Sequence, residues 1–188
     1  LLLLVHGGAA AADAAPRVLR YAFPIAETGF DPAQISDLYS RTLAANLFDG
    51  LYQYEFLARP VRMRPNTAVA LPEASDDFKS FTVRVKPGIF FSDDPAFKGR
   101  KRELTAADYV YSIKRHFDPA VKSPQFSGFA EEGFVDVRAL RAAALKDQKP
   151  FDYDREVEGL RALDRYTLQI RTAEPQPRLL HQLAQSAV

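Results

Sequence analysis

Residues 72–118 most constrain how this chain can fold, because each part of that segment has a clear local preference. Phe81, Val83 and Val85 alternate with polar residues, which is the period of a strand with one buried face. The aspartates at 76–77 favour a tight turn before this strand, and a Pro-Gly pair after it favours a break. The pattern therefore predicts a turn, a strand and a second turn, leading towards a helix.

The second half of this segment predicts a short strand and then a capped helix. The apolar run at 89–91 is typical of a strand, and Thr105 with Asp108 has the spacing of a capping box. Apolar residues recur on one helical face; they are Ala106, Val110, Ile113 and Phe117. We expect that face to pack against the strands.

Composition indicates a folded protein and excludes several kinds of chemistry. Of the 188 residues, 47% are hydrophobic and 12% aromatic, which is too apolar for a disordered chain. The net charge is only +1, and the one dense basic run, at 98–102, is typical of a solvated loop, so nucleic-acid binding is not indicated. The absence of cysteine excludes disulfides, thiolate metal sites, cysteine nucleophiles and a lipid-anchored N-terminal cysteine.

The N-terminal residues predict export followed by a strand and a helix. Residues 1–14 combine an apolar run with small residues around a cleavage-like Ala-x-Ala, which is typical of a truncated signal peptide. No apolar run reaches the roughly 18 residues of a membrane span. We expect a strand at 17–24 and a helix at 37–48 that Ser36 caps, with Tyr39, Leu43 and Leu47 on one face.

The C-terminal half predicts a second hairpin between two helices. Alternating residues on both sides of an Asp-Arg pair indicate a hairpin within 157–171, and leucines after 177 indicate a last helix. Between 123 and 150 the sequence predicts a short helix at 139–149 and a loop bounded by Gly128 and Gly133.

Several of these segments, taken in order, resemble the family 5 extracellular solute-binding proteins, the peptide- and nickel-binding receptors of ABC importers. The resemblance covers about residues 18–184 and depends on order, because each motif alone is weak. The matching motifs are FDP at 30–32, FDGLY at 48–52, SDD at 75–77, KPGIFFSD at 86–93, TAADYVYS at 105–112 and DRYTLQI at 164–170.

The resemblance implies an α/β fold, namely the N-terminal lobe of a two-lobed periplasmic-binding-protein-like structure with a mixed sheet and flanking helices. Family members are much longer, so we expect an N-terminal fragment with the C-terminal lobe absent. Within the partial domain at 15–188, residues 15–50 and about 160–188 would form the first lobe, and about 51–159 an inserted subdomain. With one lobe missing, apolar faces of 157–183 should be exposed.

The residues give no reason to predict catalysis. The histidines are His6, His116 and His181; the first lies in the predicted signal peptide, and structural roles suit the others. The paired aspartates adjoin turn residues, and neither a phosphate-binding glycine loop nor a Gly-x-Ser-x-Gly elbow is present. We therefore predict no enzyme activity, no metal site and no cofactor.

The resemblance also implies a ligand site and partners. In the family the loop after the first strand lines the cleft, which here is Glu27, Thr28, Gly29 and Phe30. Glu27 would meet a ligand cation, Thr28 would donate a hydrogen bond and Phe30 would pack. The implied protein is a periplasmic monomer that binds di- or oligopeptides and delivers them to an inner-membrane ABC permease. Three alternatives stay open: a nickel chelate, haem or oligosaccharide as ligand, an exported hydrolase, and a sensory module.

Overall fold

The computed structural model describes residues 18–185, so the predicted signal peptide at 1–14 lies outside the described residues. A 3-10 turn, Pro95–Phe97, precedes the second helix. The helices are α1 (Leu38–Leu47), α2 (Ala106–Arg115), α3 (Phe126–Glu131), α4 (Val137–Asp147) and α5 (Leu179–Leu183). The strands are β1 (Tyr52–Tyr54), β2 (Met63–Pro65), β3 (Glu73–Ala74), β4 (Ser80–Arg84), β5 (Leu160–Ala162) and β6 (Thr167–Arg171).

Two sheets organise the described residues. One is the β1–β2 hairpin, and the other has the order β3-β4-β6-β5, with every pairing antiparallel. Phe81 lies opposite Ile170, and Val83 lies opposite Leu168, and all four side chains are buried. Because strand side chains alternate between faces, this register places the apolar halves of both predicted hairpins on one side of the sheet.

Helix α2 covers that apolar face. Its N-terminus carries the predicted capping box: the Asp108 carboxylate accepts hydrogen bonds from the Thr105 backbone N–H, at 2.8 Å, and from its hydroxyl. Ala106 and Ile113 are fully buried, and Phe117 follows at the helix end with 1% exposure. The predicted α/β arrangement of a sheet with flanking helices is therefore confirmed.

The buried lysine of α2 fastens an adjoining loop to the core. Lys114 is 3% exposed, and its ammonium donates to the backbone oxygens of Tyr153, at 2.8 Å, and Arg155, at 2.7 Å. Burial lowers the pKa of Lys114, while Asp152 and nearby acidic residues oppose that shift. The two carbonyls replace water around the ammonium, which is why this charge can lie in the interior.

The predicted N-terminal strand is wrong. Residues 18–24 have no regular structure, and Leu19 and Tyr21 are 92% and 76% exposed. An extended segment needs a neighbouring strand for its backbone hydrogen bonds, and no strand among residues 18–185 pairs with it. The predicted strand at 89–91 is also largely absent, since only Phe90 forms a bridge, to Glu103.

Helix α1 differs from its prediction in cap and in buried face. Asp37, not Ser36, is the cap, because its carboxylate accepts from the Ser40 backbone N–H. The buried residues are Ser40 and Ala44. On the predicted face, Tyr39 and Leu43 are half-buried and Leu47 is 61% exposed. The loop predicted between Gly128 and Gly133 is also wrong, because α3 passes through the first of these glycines.

The apolar face of the C-terminal segment is covered, so the predicted exposure of 157–183 is wrong. Leu160, Leu168, Ile170, Leu179 and Leu183 are all 2% exposed or less, because α2 packs against β5 and β6 and all five side chains belong to one core cluster. The division into a lobe and an inserted subdomain stays a prediction. The four-stranded sheet takes strands from both sides of residue 160, two from before it and two from after it.

Candidate functional site

The loop that carries the predicted ligand residues is fastened to α1. The Thr28 backbone N–H donates to the Ser40 hydroxyl at 2.9 Å, and the Thr28 hydroxyl donates to the Asp37 carboxylate at 2.6 Å. The Ser40 backbone N–H, followed by the Thr28 and Ser40 hydroxyls, holds the pKa of Asp37 well below its usual range. Asp37 therefore caps the helix and anchors the loop at once.

The same loop is fastened to α2 at its other end. Arg115 donates to both carboxylate oxygens of Asp31, at 2.8 and 2.6 Å, in a bidentate pair. The Ala33 backbone N–H donates to the same carboxylate at 3.1 Å. The hydrogen bonds from Arg115 lower the pKa of Asp31, and partial burial only partly offsets this. The FDP motif thus provides an ion pair that joins this loop to α2.

The four predicted site residues differ in what remains available to a ligand. Glu27 and Phe30 are exposed and make no hydrogen bond or ion pair with the described part of the chain. A Cβ added at Gly29 would find no atom within 4 Å, so the space beside it is open. The hydroxyl of Thr28 is occupied by α1, so this side chain positions the loop.

The sequence did not predict an aromatic-walled groove of about 600 Å³, which Pro32 and Ala33 at the end of this loop help to line. None of residues 27–30 lines it. It runs between the end of α1, the 89–104 loop and the exposed side of α2. The Arg102 guanidinium lies 4.4 Å from the centre of the Phe91 ring and pairs with Asp108. Apolar and aromatic residues dominate the walls, among them Leu47, Phe48, Ile89, Phe90, Phe91, Phe97, Tyr109 and Tyr111.

The adjacent aromatic residues Phe90 and Phe91 are the one sequence feature that points to the groove. The sequence predicted them in a strand, and the structure leaves both partly exposed, at 52% and 38%. Aromatic residues that a strand does not bury must line a surface or a cavity. The groove volume of about 600 Å³ is within the range of small-ligand sites.

The two described histidines have structural contacts. The His116 ring is fully buried, stacks on Phe129 with 4.0 Å between ring centres and shares a hydrogen bond with the Ser123 hydroxyl. His181 shares a hydrogen bond with the Tyr54 hydroxyl at 3.1 Å. Within residues 18–185, no group of three or more His, Cys, Asp or Glu side chains has the geometry to hold a metal ion.

Loss of the Asp31–Arg115 ion pair on protonation of Asp31 should make the protein less stable in acid than at neutral pH. The folded-state pKa of Asp31 is lowered from an unfolded value of about 3.9, so the carboxylate stabilises the fold fully above that value. This contribution is lost as the pH falls through the lower, folded-state pKa. Urea unfolding measured from about pH 2 to pH 7 should show it.

Asp31→Asn isolates that contribution. It should lower the free energy of unfolding at neutral pH by about 1 kcal/mol, a value discounted for partial exposure, and weaken the acid dependence. Asp93→Asn is the control, because it breaks an ion pair whose side chains are 68% and 78% exposed, and should change little. Equal acid profiles for Asp31→Asn and the unmodified protein would disprove the assignment.

The described residues form an α/β domain with an aromatic-lined groove, and comparison with known proteins identifies its family. The model of the bacterial extracellular solute-binding proteins, family 5 (middle), matches residues 62–188, which is more than half of the chain. The chain therefore belongs to the family 5 bacterial extracellular solute-binding proteins.

Curated relatives carry peptide-binding names. Di/tripeptide-binding protein 2 of Pseudomonas aeruginosa is 30% identical over 126 residues, covering 63% of this chain and 22% of that protein. The periplasmic oligopeptide-binding protein OppA of Salmonella typhimurium is 28% identical over 147 residues, covering 78% and 23%. The chain thus spans about a quarter of the length of the relatives it matches.

Solved structures match over most of the described residues. The pheromone receptor PrgZ, whose peptide-binding mode is known, gives a TM-score of 0.64 at 25% identity, covering 86% of this chain and 28% of the receptor. OppA of Haemophilus influenzae, in complex with the peptide RPPGFSPFR, gives 0.67 at 22% identity over the same shares. The second likeness shows the fold alone.

Proposed function

We propose that the protein is the solute-binding component of an ABC importer, and that it binds di- or oligopeptides outside the inner membrane. Family membership supports a binding role rather than catalysis, and peptide-binding names among the relatives support the ligand class. No helix among residues 18–185 is long and apolar enough to cross a membrane. In this proposal a separate permease carries the peptide across.

The observation that carries this proposal is the fixed loop whose C-terminal end helps to line the aromatic groove. Thr28 and Asp31 hold the loop on α1 and α2, which leaves the side chains of Glu27 and Phe30 in contact with solvent. A rigid loop costs little conformational entropy when a ligand binds. We propose that Glu27 attracts a cationic group of the peptide and that Phe30 packs on an apolar side chain.

Melting curves of the native protein with di-, tri- and oligopeptides test the ligand class. A peptide at about 100 times its Kd stabilises a folded protein by about 2.7 kcal/mol, which should raise the melting temperature by a few degrees. Nickel chelates, haem and oligosaccharides serve as the competing ligands. If no peptide shifted the melting temperature and one of the competing ligands did, that ligand would take the place of peptides in the proposal.

Two substitutions separate binding from stability. Glu27→Gln and Phe30→Ala should each weaken binding of the peptide about tenfold, measured with the peptide that gives the largest melting shift. Neither should change the melting temperature of the free protein. Leu145→Ser is the matched control, since Leu145 is likewise exposed but lies on α4. Unchanged affinity in both loop variants would remove this loop from the site.

The 188 residues by themselves should bind peptides poorly. In the proposed receptor a second lobe closes over the ligand and excludes water, and the described residues supply one wall of such a cleft. Titrating the 188-residue chain and the native protein with one peptide compares the two directly. Sub-micromolar affinity of the 188-residue chain would contradict a site shared between two lobes.

A further inference from the structure

The β1–β2 hairpin ends in an exposed apolar tip. Residues 55–62, here called the hairpin tip, connect two strands of three residues each. Phe56, Leu57 and Val61 in the tip are 88%, 82% and 66% exposed, so the described protein leaves them almost fully hydrated. The tip is held by backbone hydrogen bonds, from Glu55 to Arg62 at 2.9 Å and from Ala58 to Glu55 at 3.1 Å. It is therefore an ordered turn that presents apolar side chains to solvent.

Three arginines lie close in the sequence to these apolar residues. Arg59 lies in the tip, Arg62 follows at its end, and Arg64 lies on β2. All three are exposed, and none forms an ion pair with a carboxylate in the described part of the chain. Arg62 and Arg64 are two residues apart in extended chain, so they point to one side of the hairpin. Glu55 is the one acidic residue of the segment 54–65.

We propose that the hairpin tip binds to an anionic lipid surface, with Phe56 and Leu57 in the interface and the arginines on lipid phosphates. Guanidinium groups bind phosphate oxygens in a bidentate manner, and their apolar stems tolerate the boundary between headgroups and acyl chains. Burial of apolar side chains and attraction of basic ones to anionic lipid are the two contributions that stable surface binding needs.

The size of the tip favours a lipid surface over a protein partner. A stable protein–protein interface buries about 800 Å² on each partner and needs a complementary shape. Two or three protruding side chains on a single turn supply much less area than that. A bilayer deforms around an inserted side chain, so a small tip binds it without a preformed pocket.

The proposal predicts additive losses from the two kinds of residue. Each basic side chain near an anionic bilayer strengthens binding by about fivefold, so Arg62→Gln with Arg64→Gln should weaken it by about 25-fold. Phe56→Ser with Leu57→Ser should weaken it by more than about tenfold, since both side chains lose their apolar contact. High ionic strength should weaken binding of the unmodified protein and leave less difference between it and the arginine variant.

Vesicle flotation of the whole chain tests the proposal. Phosphatidylcholine vesicles are compared with vesicles that also contain phosphatidylglycerol, at low and high ionic strength. The controls are Leu145→Ser with Leu163→Ser, which removes two exposed leucines elsewhere, and Arg100→Gln with Arg161→Gln, which removes two exposed arginines elsewhere. The expected result is flotation with the anionic vesicles, lost in both hairpin variants and kept in both controls.

Three results would overturn the proposal. The first is no flotation with the anionic vesicles at low ionic strength. The second is an equal loss in the hairpin variants and their controls, which would indicate nonspecific adsorption. The third is retention on native membranes but not on protein-free vesicles, which would assign the hairpin tip to a membrane protein. Because the vesicles contain no peptide, none of these results bears on the peptide-binding proposal.

Discussion

Gly159→Ala is expected to destabilise the protein by about 3–4 kcal/mol, because the position has no space for a side chain. A Cβ at Gly159 would lie 2.4 Å from both the backbone nitrogen and the backbone oxygen of Val135, and 2.8 Å from the Phe134 carbonyl carbon. The same glycine donates a hydrogen bond to Val135 and accepts one from Arg171, at 3.0 Å each. Relieving the overlap therefore separates backbone segments that are joined by hydrogen bonds.

Urea unfolding of Gly159→Ala beside Gly128→Ala measures this effect. Gly128 lies within α3, and a Cβ there would find no atom within 4 Å. Alanine at that position should leave stability unchanged or raise it by about 0.5–1 kcal/mol, since glycine is a poor helix former. If the two substitutions changed the free energy of unfolding equally, the close approach at Gly159 would not exist in solution.

Phe117→Ala should cost about 3–5 kcal/mol, because it leaves a cavity where α2 meets α3 and the chain before α4. Phe117 is 1% exposed, and its ring meets the rings of Phe126 and Phe134 edge to face, with 5.8 and 6.1 Å between ring centres. The loss combines the apolar contact of the ring with the two aromatic pairs.

Phe90→Ala is the matched control for this second substitution. Phe90 is 52% exposed and lies in the groove wall, so its loss should change the free energy of unfolding by about 0.5 kcal/mol or less. Thermal or urea unfolding of both variants gives the comparison. A loss below about 1 kcal/mol in Phe117→Ala would mean that the core of α2 is not packed as described.

The sequence predicted the parts of the fold that depend on local patterns. The capping box of Thr105 and Asp108 fixed the start of α2 within a residue, and alternation in β4 and β6 gave the buried faces of both strands. Local hydrogen bonding and side-chain period decide these features without knowledge of distant residues.

Features that depend on distant partners were missed. The alternating residues of 18–24 resemble a strand, but a strand requires a neighbour, and no described strand lies beside it. Lys114 lies at a helical position that no local pattern marks for burial, and two backbone oxygens from the 151–156 segment make its burial possible. A pairing between segments that lie far apart in the sequence cannot be read from either segment alone.

The sequence predicted where a ligand loop would lie but not what each of its residues does. The loop at 27–30 came from family resemblance and stays a prediction, and the contacts of Thr28 show what holds it in place. The bidentate pair of Asp31 with Arg115 joins residues 84 positions apart, so no local pattern could have revealed it. The groove was missed because its walls come from three separate segments.

We propose that the protein holds a peptide without changing it. Isothermal titration calorimetry of the native protein, with the peptide that raises its melting temperature most, tests whether the peptide binds. The peptide is then recovered, and mass spectrometry shows whether it is intact. Saturable heat from one site, with the peptide recovered intact, is the predicted result. The absence of saturable heat with any peptide, or recovery of a cleaved peptide, would contradict it.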